Sequence, residues 1–443
     1  MLREHAEQIW WAGVEAVRPE RLFRDQVAVD GDSLWLADHE VDLRRFDRVV
    51  VVGAGKAGAA MARGLEASLG ERLLREKQVG GLVVVPEDCL GPTQAIRLVS
   101  GRPAGVNEPR PEGAAAAGEV LRLAASLSPR DLCLCLISGG GSALLPAPID
   151  GISLDQKLAI TRLLSASGAT IDQLNTVRSA ISRIKGGGLA RACGAGELVS
   201  LVLSDVIGDP LPLIASGPTV PSELGPADAL AVLDELGVAS APQAMPIFER
   251  LSARRSLGET SPPPTCKVTN LVLANNAAAV DAAGIEAERL GYNHAMDVAT
   301  ASEGPAEEVG RHLAEMALRM RDQPGPNCLI TGGEPTVKLA DEAIRGRGGR
   351  NQQLVLAAME LLGDCHGVAL LSGGTDGEDG PTNAAGAVVD ERVAAAAARL
   401  DREDALRRND AYPFFETAGG LLITGPTGVN VCDLRVVTVD QRS

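Results

Sequence analysis

Short, continuous apolar runs recur along the chain at Val49–Val52, Leu82–Val85, Leu132–Ile137, Leu198–Leu203, Leu271–Ala274, Cys328–Ile330, Val368–Leu371, Leu421–Thr424 and Val436–Val439. Continuous rather than alternating runs of strand length mean burial on both faces, which predicts parallel sheets covered by helices. Helical signals lie between them. Ala57–Leu69 follows the first strand, and Ser153 with Gln156 forms a capping box for a helix to about Ser167. Ile171, Leu174, Val177, Ile181 and Ile184 make one helical stripe, stopped by Gly186–Gly188. The first 45 or so residues read as a helix and a short extended stretch. The pattern predicts an α/β protein of two domains. Residues 1–260 form the larger, a Rossmann-like α/β/α parallel-sheet domain, and 261–443 a smaller mixed α/β domain, with Ser261–Pro264 as the linker.

Several of these strands run straight into small, hydroxyl- and glycine-rich loops: VVVVGAGKAG, LCLCLISGGGSAL, LVLSDVIGD, CLITGGEPTV, ALLSGGTDGEDGPT and LLITGPTG. In open parallel sheets the strand C-termini line the ligand crevice. Such loops supply backbone N–H groups and hydroxyls, the chemistry that holds phosphates and carboxylates.

Charge narrows the partners. Forty-two Lys and Arg against 58 Asp and Glu leave a net charge of −16, and only ten aromatic side chains are present: three Trp, two Tyr and five Phe. That field repels nucleic acid and anionic membrane, and base-stacking platforms are scarce. No apolar run approaches the ~18 residues that cross a bilayer. Glu4, Glu7 and Glu15 mark the N-terminus as neither a signal nor a transit peptide. Eight cysteines without a CxxC read as buried thiols of a reducing cytoplasm rather than disulfides or zinc ligands. The expectation is a cytoplasmic protein acting on a small molecule; its oligomeric state is not legible.

Gly53-Ala54-Gly55-Lys56-Ala57-Gly58 satisfies G-x-G-x-x-G between a strand and a helix. The acid that a dinucleotide fold needs about 20 residues later is missing, since Glu87 and Asp88 lie roughly 30 on. No Walker spacing is present either. An anion site shared by Lys56 and the helix N-terminus fits better, against the plain alternative of a tight turn with an exposed lysine. Ser138-Gly139-Gly140-Gly141-Ser142 has no nucleophile-elbow spacing, and none of the five His lies in these loops, so the glycines read as backbone donors around a charged group. Asp205, in Ser204–Asp209, stands where a carboxylate binds Mg2+ or takes a hydroxyl proton; a turn cap is its plain reading. Ser216 and Gly217 follow closely and could complete that cradle. Glu334, Asp376 and Asp379 are the metal candidates, as clustered oxygen ligands suit Mg2+. Arg345–Gln353 (RGRGGRNQQ) reads as a phosphate or carboxylate fork, or else as a solvated basic loop.

In this order, VVGAGKAG, ISGGGSALL, LNTVRSAISRIKGGGLA, LSDVIGDPLPLIASGPTV, TGGEPTV, GRGGRNQQ and SGGTDGEDGPTNAAGAVVD resemble the type II glycerate kinases, over residues 5–440 or so. The resemblance implies ATP- and Mg2+-dependent phosphorylation of D-glycerate, commonly at the 2-hydroxyl, by a two-domain α/β protein with its active site in the interdomain cleft. It assigns phosphate handling to Lys56, the strand-end aspartate to Asp205 and the arginine of the GRNQ block to Arg350, with Asn351 beside it. Gln353 stands where relatives often have an acid. Some family members have carried the label hydroxypyruvate reductase, the runner-up function; an organic-acid-binding protein without catalysis is a further alternative. For the glycerate carboxylate, Ser138–Ser142, Arg178 and Lys185 are equal candidates.

Overall fold

A computed structural model describes residues 1–106, 108–258 and 262–441. The chain forms two compact units that are not sequential halves. One, the parallel-sheet unit, comprises Leu22–Leu203 and Pro210–Leu273; the other, the mixed-sheet unit, comprises Met1–Arg21, Ser204–Asp209 and Ala274–Ser443. The units differ from the expected division in two ways: they exchange at Leu273/Ala274, and two short early segments belong to the later unit. The expected 260/261 boundary itself lies outside the described residues.

The parallel-sheet unit opens with a small antiparallel sheet, β1 (Val27–Asp30), β2 (Ser33–Leu36) and β3 (His39–Asp42). Its main sheet contains β4 (Arg48–Ala54), β5 (Gly80–Pro86), β6 (Ile96–Arg102), β7 (Asp131–Ile137), β8 (Glu197–Leu203) and β9 (Lys267–Ala274), in the order β6-β5-β4-β7-β8-β9. The pairs joining β4 through β8 are parallel, as the continuous runs predicted. Every residue of β7 and β8 is buried. A separate helical layer, Leu154–Ala166, Ile171–Ala180, Pro226–Glu235 and Met245–Ser256, packs its own cluster around Ile160, Val177, Leu233 and Leu251. Both predicted capping-box bonds at Ser153 form. The stripe from Ile171 does not run on to Ile184, however. The helix ends at Ala180, because Ser182 and Arg183 turn to pair with Pro148 and Ala147.

The mixed-sheet unit contains β10 (His294–Val298), β11 (Cys328–Gly333), β12 (Val368–Gly374), β13 (Gly386–Val389), β14 (Leu421–Leu422) and β15 (Asp433–Val439), ordered β10-β11-β15-β12-β13-β14. Here the parallel expectation fails for all but one pair: β15 lies antiparallel between β11 and β12. Burial on both faces, which the apolar runs report, does not fix strand direction. On one face, Val437 and Val439 meet helices Ala306–Asp322 and Arg350–Leu362. On the other lies the N-terminal helix Leu2–Ala16, whose Ile9, Trp10 and Val14 are fully buried. Gly13 is needed there, since a Cβ would stand 2.6 Å from Leu434 and 2.7 Å from the Ala279 carbonyl. All eight cysteines are free and seven are buried. Among the described residues no helix is long and apolar enough to cross a membrane.

Candidate active site

Adjacent parallel strands β4 and β7 bring two of the sequence-selected loops together, with Ala54 in register with Ile137. The Lys56 amide donates to the Gly139 carbonyl at 2.8 Å, and the Ala57 amide to Ser138 Oγ at 3.1 Å. Gly55 has φ +153° and leaves only 1.9 Å between an added Cβ and Ser138 Oγ, so no side chain fits. Gly53 closes equally tightly on the Leu136 carbonyl, at 2.1 Å. These glycines let the turn lie flat against the Ser138–Ser142 loop and place Lys56 beside it. Gly140, at φ +79°, and Gly141 carry that loop into the short helix Gly141–Leu144. Ser142 Oγ lies 3.1 Å from Ser216 Oγ, joining the third loop. Gly217 accepts from the Gly187 amide at 2.7 Å, tying that loop to the glycine stop after the stripe.

Within the mixed-sheet unit the sequence-selected acids gather around Arg350. Because β15 is antiparallel, its first residue, Asp433, sits opposite Gly333 and Gly374, the last residues of β11 and β12. Arg350 opens helix Arg350–Leu362 and donates from Nε and Nη2 to the two oxygens of fully buried Asp433, at 2.7 and 2.9 Å. Its Nη1 meets Glu334 Oε1 at 2.9 Å. Burial opposes the arginine's charge, but attraction to Asp433 and Glu334 outweighs it and holds Arg350 firmly protonated. Asn351 adds a bond from Nδ2 to Asp433 at 3.0 Å. Asp205, on the segment after β8, accepts from Asn430 Nδ2 at 3.4 Å, while its carbonyl lies 3.1 Å from Cys432 Sγ. That thiol is 3.9 Å from Glu334 Oε2, which places Asp205 and Glu334 in one cluster.

The three metal candidates are not equivalent. Asp379 accepts from the backbone amides of Asn351 and Gln352 at 3.0 and 2.9 Å, so it caps helix Arg350–Leu362 rather than presenting open oxygens. Burial pushes its carboxyl up to about 7 against those two donors. Glu334 is raised mainly by burial, with Asp433 and Asp376 adding negative charge and Arg350 opposing. A divalent cation would relieve that crowding, and the donor set is all oxygen, as Mg2+ requires. Glu334 and Asp376 fit this role. No group of three or more His, Cys, Asp or Glu forms a ready metal cage among the described residues.

The sequence missed Asp433. It heads a buried strand, which in a parallel sheet would put it at the edge remote from the loops. The signal available was an acid opening an otherwise apolar run, DLRVVTV.

Glycine-rich strand-end loops in an α/β protein, a lysine in one of them and an arginine among carboxylates suit the phosphotransferase class. Residues 5–248 match the family described as "Domain of unknown function (DUF4147)", and residues 327–433 match the MOFRL family. A "Glycerate kinase" of Bos taurus is 39% identical, covering 98% of this chain and 92% of its own length. A "D-glycerate 2-kinase" of Thermotoga maritima is 35% identical over 98% of this chain and 97% of its own. The crystal structure of a glycerate kinase from Thermotoga maritima superposes with a TM-score of 0.83, at 33% identity and 99% coverage of both chains. The chain belongs to the glycerate kinase family and is a kinase.

Proposed function

We propose that the protein transfers the γ-phosphoryl group of ATP, with Mg2+, to the 2-hydroxyl of D-glycerate, giving 2-phosphoglycerate and ADP. The observation that carries this reading is the similarity to a D-glycerate 2-kinase along nearly the whole chain. Phosphoryl transfer asks little covalent chemistry of a protein; positioning and charge neutralisation dominate. Lys56 and the glycine-rich amides beside it supply fixed positive potential for phosphate oxygens. Arg350, held in place by Asp433, keeps one N–H on each terminal nitrogen beyond its bonds to Asp433 and Glu334 for the same use. Asp205 orients the attacking hydroxyl and takes its proton. Glu334 and Asp376 would hold Mg2+, whose charge would neutralise that of the phosphates.

The deciding assay follows ADP release. It should require both D-glycerate and Mg2+ and stop with EDTA. Oxidation of NADPH by hydroxypyruvate, with ATP untouched, would replace the kinase reading with the reductase one. D-glycerate affinity without turnover would leave a binding protein.

A further inference from the structure

Behind the Ser138–Ser142 loop lies a group of cations that no carboxylate among the described residues matches. Lys185 Nζ donates to Ser142 Oγ at 2.6 Å, to the Ser142 carbonyl at 3.1 Å and to Ser216 Oγ at 3.2 Å. Arg178 donates from Nη2 to the same Ser142 Oγ, and its Nη1 lies 3.4 Å from Asn175 Oδ1. Lys157 adds a third charge: it is 3% exposed and its Nζ has no hydrogen-bond partner. Burial pulls all three below their usual pKa values; Arg178 presses Lys157 and Lys185 lower, and Lys157 comes down to about 7. No acid among the described residues acts on any of them.

An unpaired buried ammonium is expensive, and its usual compensation is an anion. Two further features point the same way. Ser142 Oγ accepts from both Arg178 and Lys185 and lies 3.1 Å from Ser216 Oγ, so two cations and two hydroxyls converge on one point. The buried Gly139 amide and its neighbour Gly140 have no backbone acceptor among the described residues.

We infer that Ser142, Arg178 and Lys185 form the seat of the substrate's carboxylate, with Lys157 behind it, and that this seat selects a small hydroxy acid over a neutral polyol. The identity of the acid rests on the proposed reaction; the preference for a carboxylate does not.

The test titrates D-glycerate and its neutral amide, glyceramide, into the full chain by calorimetry without ATP, and measures KM for D-glycerate and ATP in parallel. Wild type should bind D-glycerate and not glyceramide. Arg178→Gln should weaken D-glycerate on the order of 10²-fold and leave the KM for ATP unchanged. Arg178→Lys should restore only part, since a point charge lacks the planar fork. Ser142→Ala should cost about tenfold. Glyceramide binding as well as D-glycerate, or an Arg178→Gln effect on ATP alone, would overturn the assignment. Thermal melts separate lost binding from lost folding, and partly exposed Ser142→Ala decides the matter if Arg178→Gln fails to fold. Charge-dependent D-glycerate binding without phosphorylation would sink the proposed reaction while the seat stands.

Discussion

Arg350 and Asp433 depend on each other. Removing the guanidinium leaves a fully buried carboxylate unpaired, which costs about 3–5 kcal/mol when one partner of a buried pair is lost. Arg350→Ala should therefore lower both urea stability and kcat, the latter by ~10²–10⁴. Arg350→Lys should recover little activity. Asp433→Asn should damage turnover as well, by releasing the arginine; unchanged kcat in Asp433→Asn would show that Arg350 needs no such anchor. Sequence marked Arg350 as a fork but could not show that carboxylates already hold it, since the partner comes from 83 positions along the chain. Asp379 misled for a related reason. An acid in a glycine-rich loop looks like a metal ligand until the helix whose amides it caps is placed beside it.

Lys157 carries a residue-scale prediction with a defined sign. Its pKa falls from the usual 10.5 to about 7, so the folded state binds fewer protons than the unfolded between those values. The cost of burying the charge is full below about pH 7 and lifts as pH rises toward 10.5. Lys157→Met should stabilise the protein by about 1–4 kcal/mol at or below neutral pH, with the gap closing in alkali. Chemical denaturation at several pH values checks this; a destabilised variant at pH 6 would mean the ammonium has a partner that stabilises it.

Strand entries and exits are the elements that position chemistry here. At the far end of β4 and β7 from the loops, Arg48 pairs with Asp131 through two bonds of 2.8 Å, and Ser128 adds its amide at 2.8 Å. Arg48 chiefly, aided by Ser128, brings the Asp131 carboxyl down to about 2 against the opposing effect of burial. Its contribution, about 1–2 kcal/mol given the partly exposed arginine, is present above the ordinary carboxylate range and vanishes as pH falls through 2. Wild type should lose its advantage over Asp131→Asn between about pH 5 and pH 2. An advantage that persisted at pH 2 would exclude the ion pair as its source.

The continuous apolar runs made the main strands legible, because burial on both faces is written in composition. They could not distinguish β15's antiparallel course from a parallel one. The small sheet β1–β3 was harder still: its four-residue strands mix buried and exposed positions, as in Val27–Asp30. The glycine-rich turns at Gly53–Gly58 and Ser138–Ser142 were readable for the opposite reason, since close backbone approach leaves no alternative residue.

At the scale of the molecule, linear order and packing part company. The first helix completes the mixed-sheet unit, with Trp10 Nε1 donating to the Gly373 carbonyl at 3.3 Å. A linker-and-composition reading cannot see this, because Leu2–Ala16 has the pattern of any amphipathic helix and its docking face lies more than 250 residues on. Burying Ile9, Trp10 and Val14 contributes roughly 5–9 kcal/mol, comparable with a whole domain's stability. Deleting residues 1–21 should give a chain that is insoluble or melts far lower, and Gly13→Leu should act in the same direction. A deletion with wild-type Tm would contradict this packing.

The identity of the product is the direct test of the proposed reaction. Purified protein should be incubated with ATP, Mg2+ and D-glycerate, and the phosphorylated product given to enolase without phosphoglycerate mutase. Direct consumption by enolase is the predicted result, since 2-phosphoglycerate is its substrate. Product that enolase consumes only after mutase is added would be the 3-phosphate and would contradict the account.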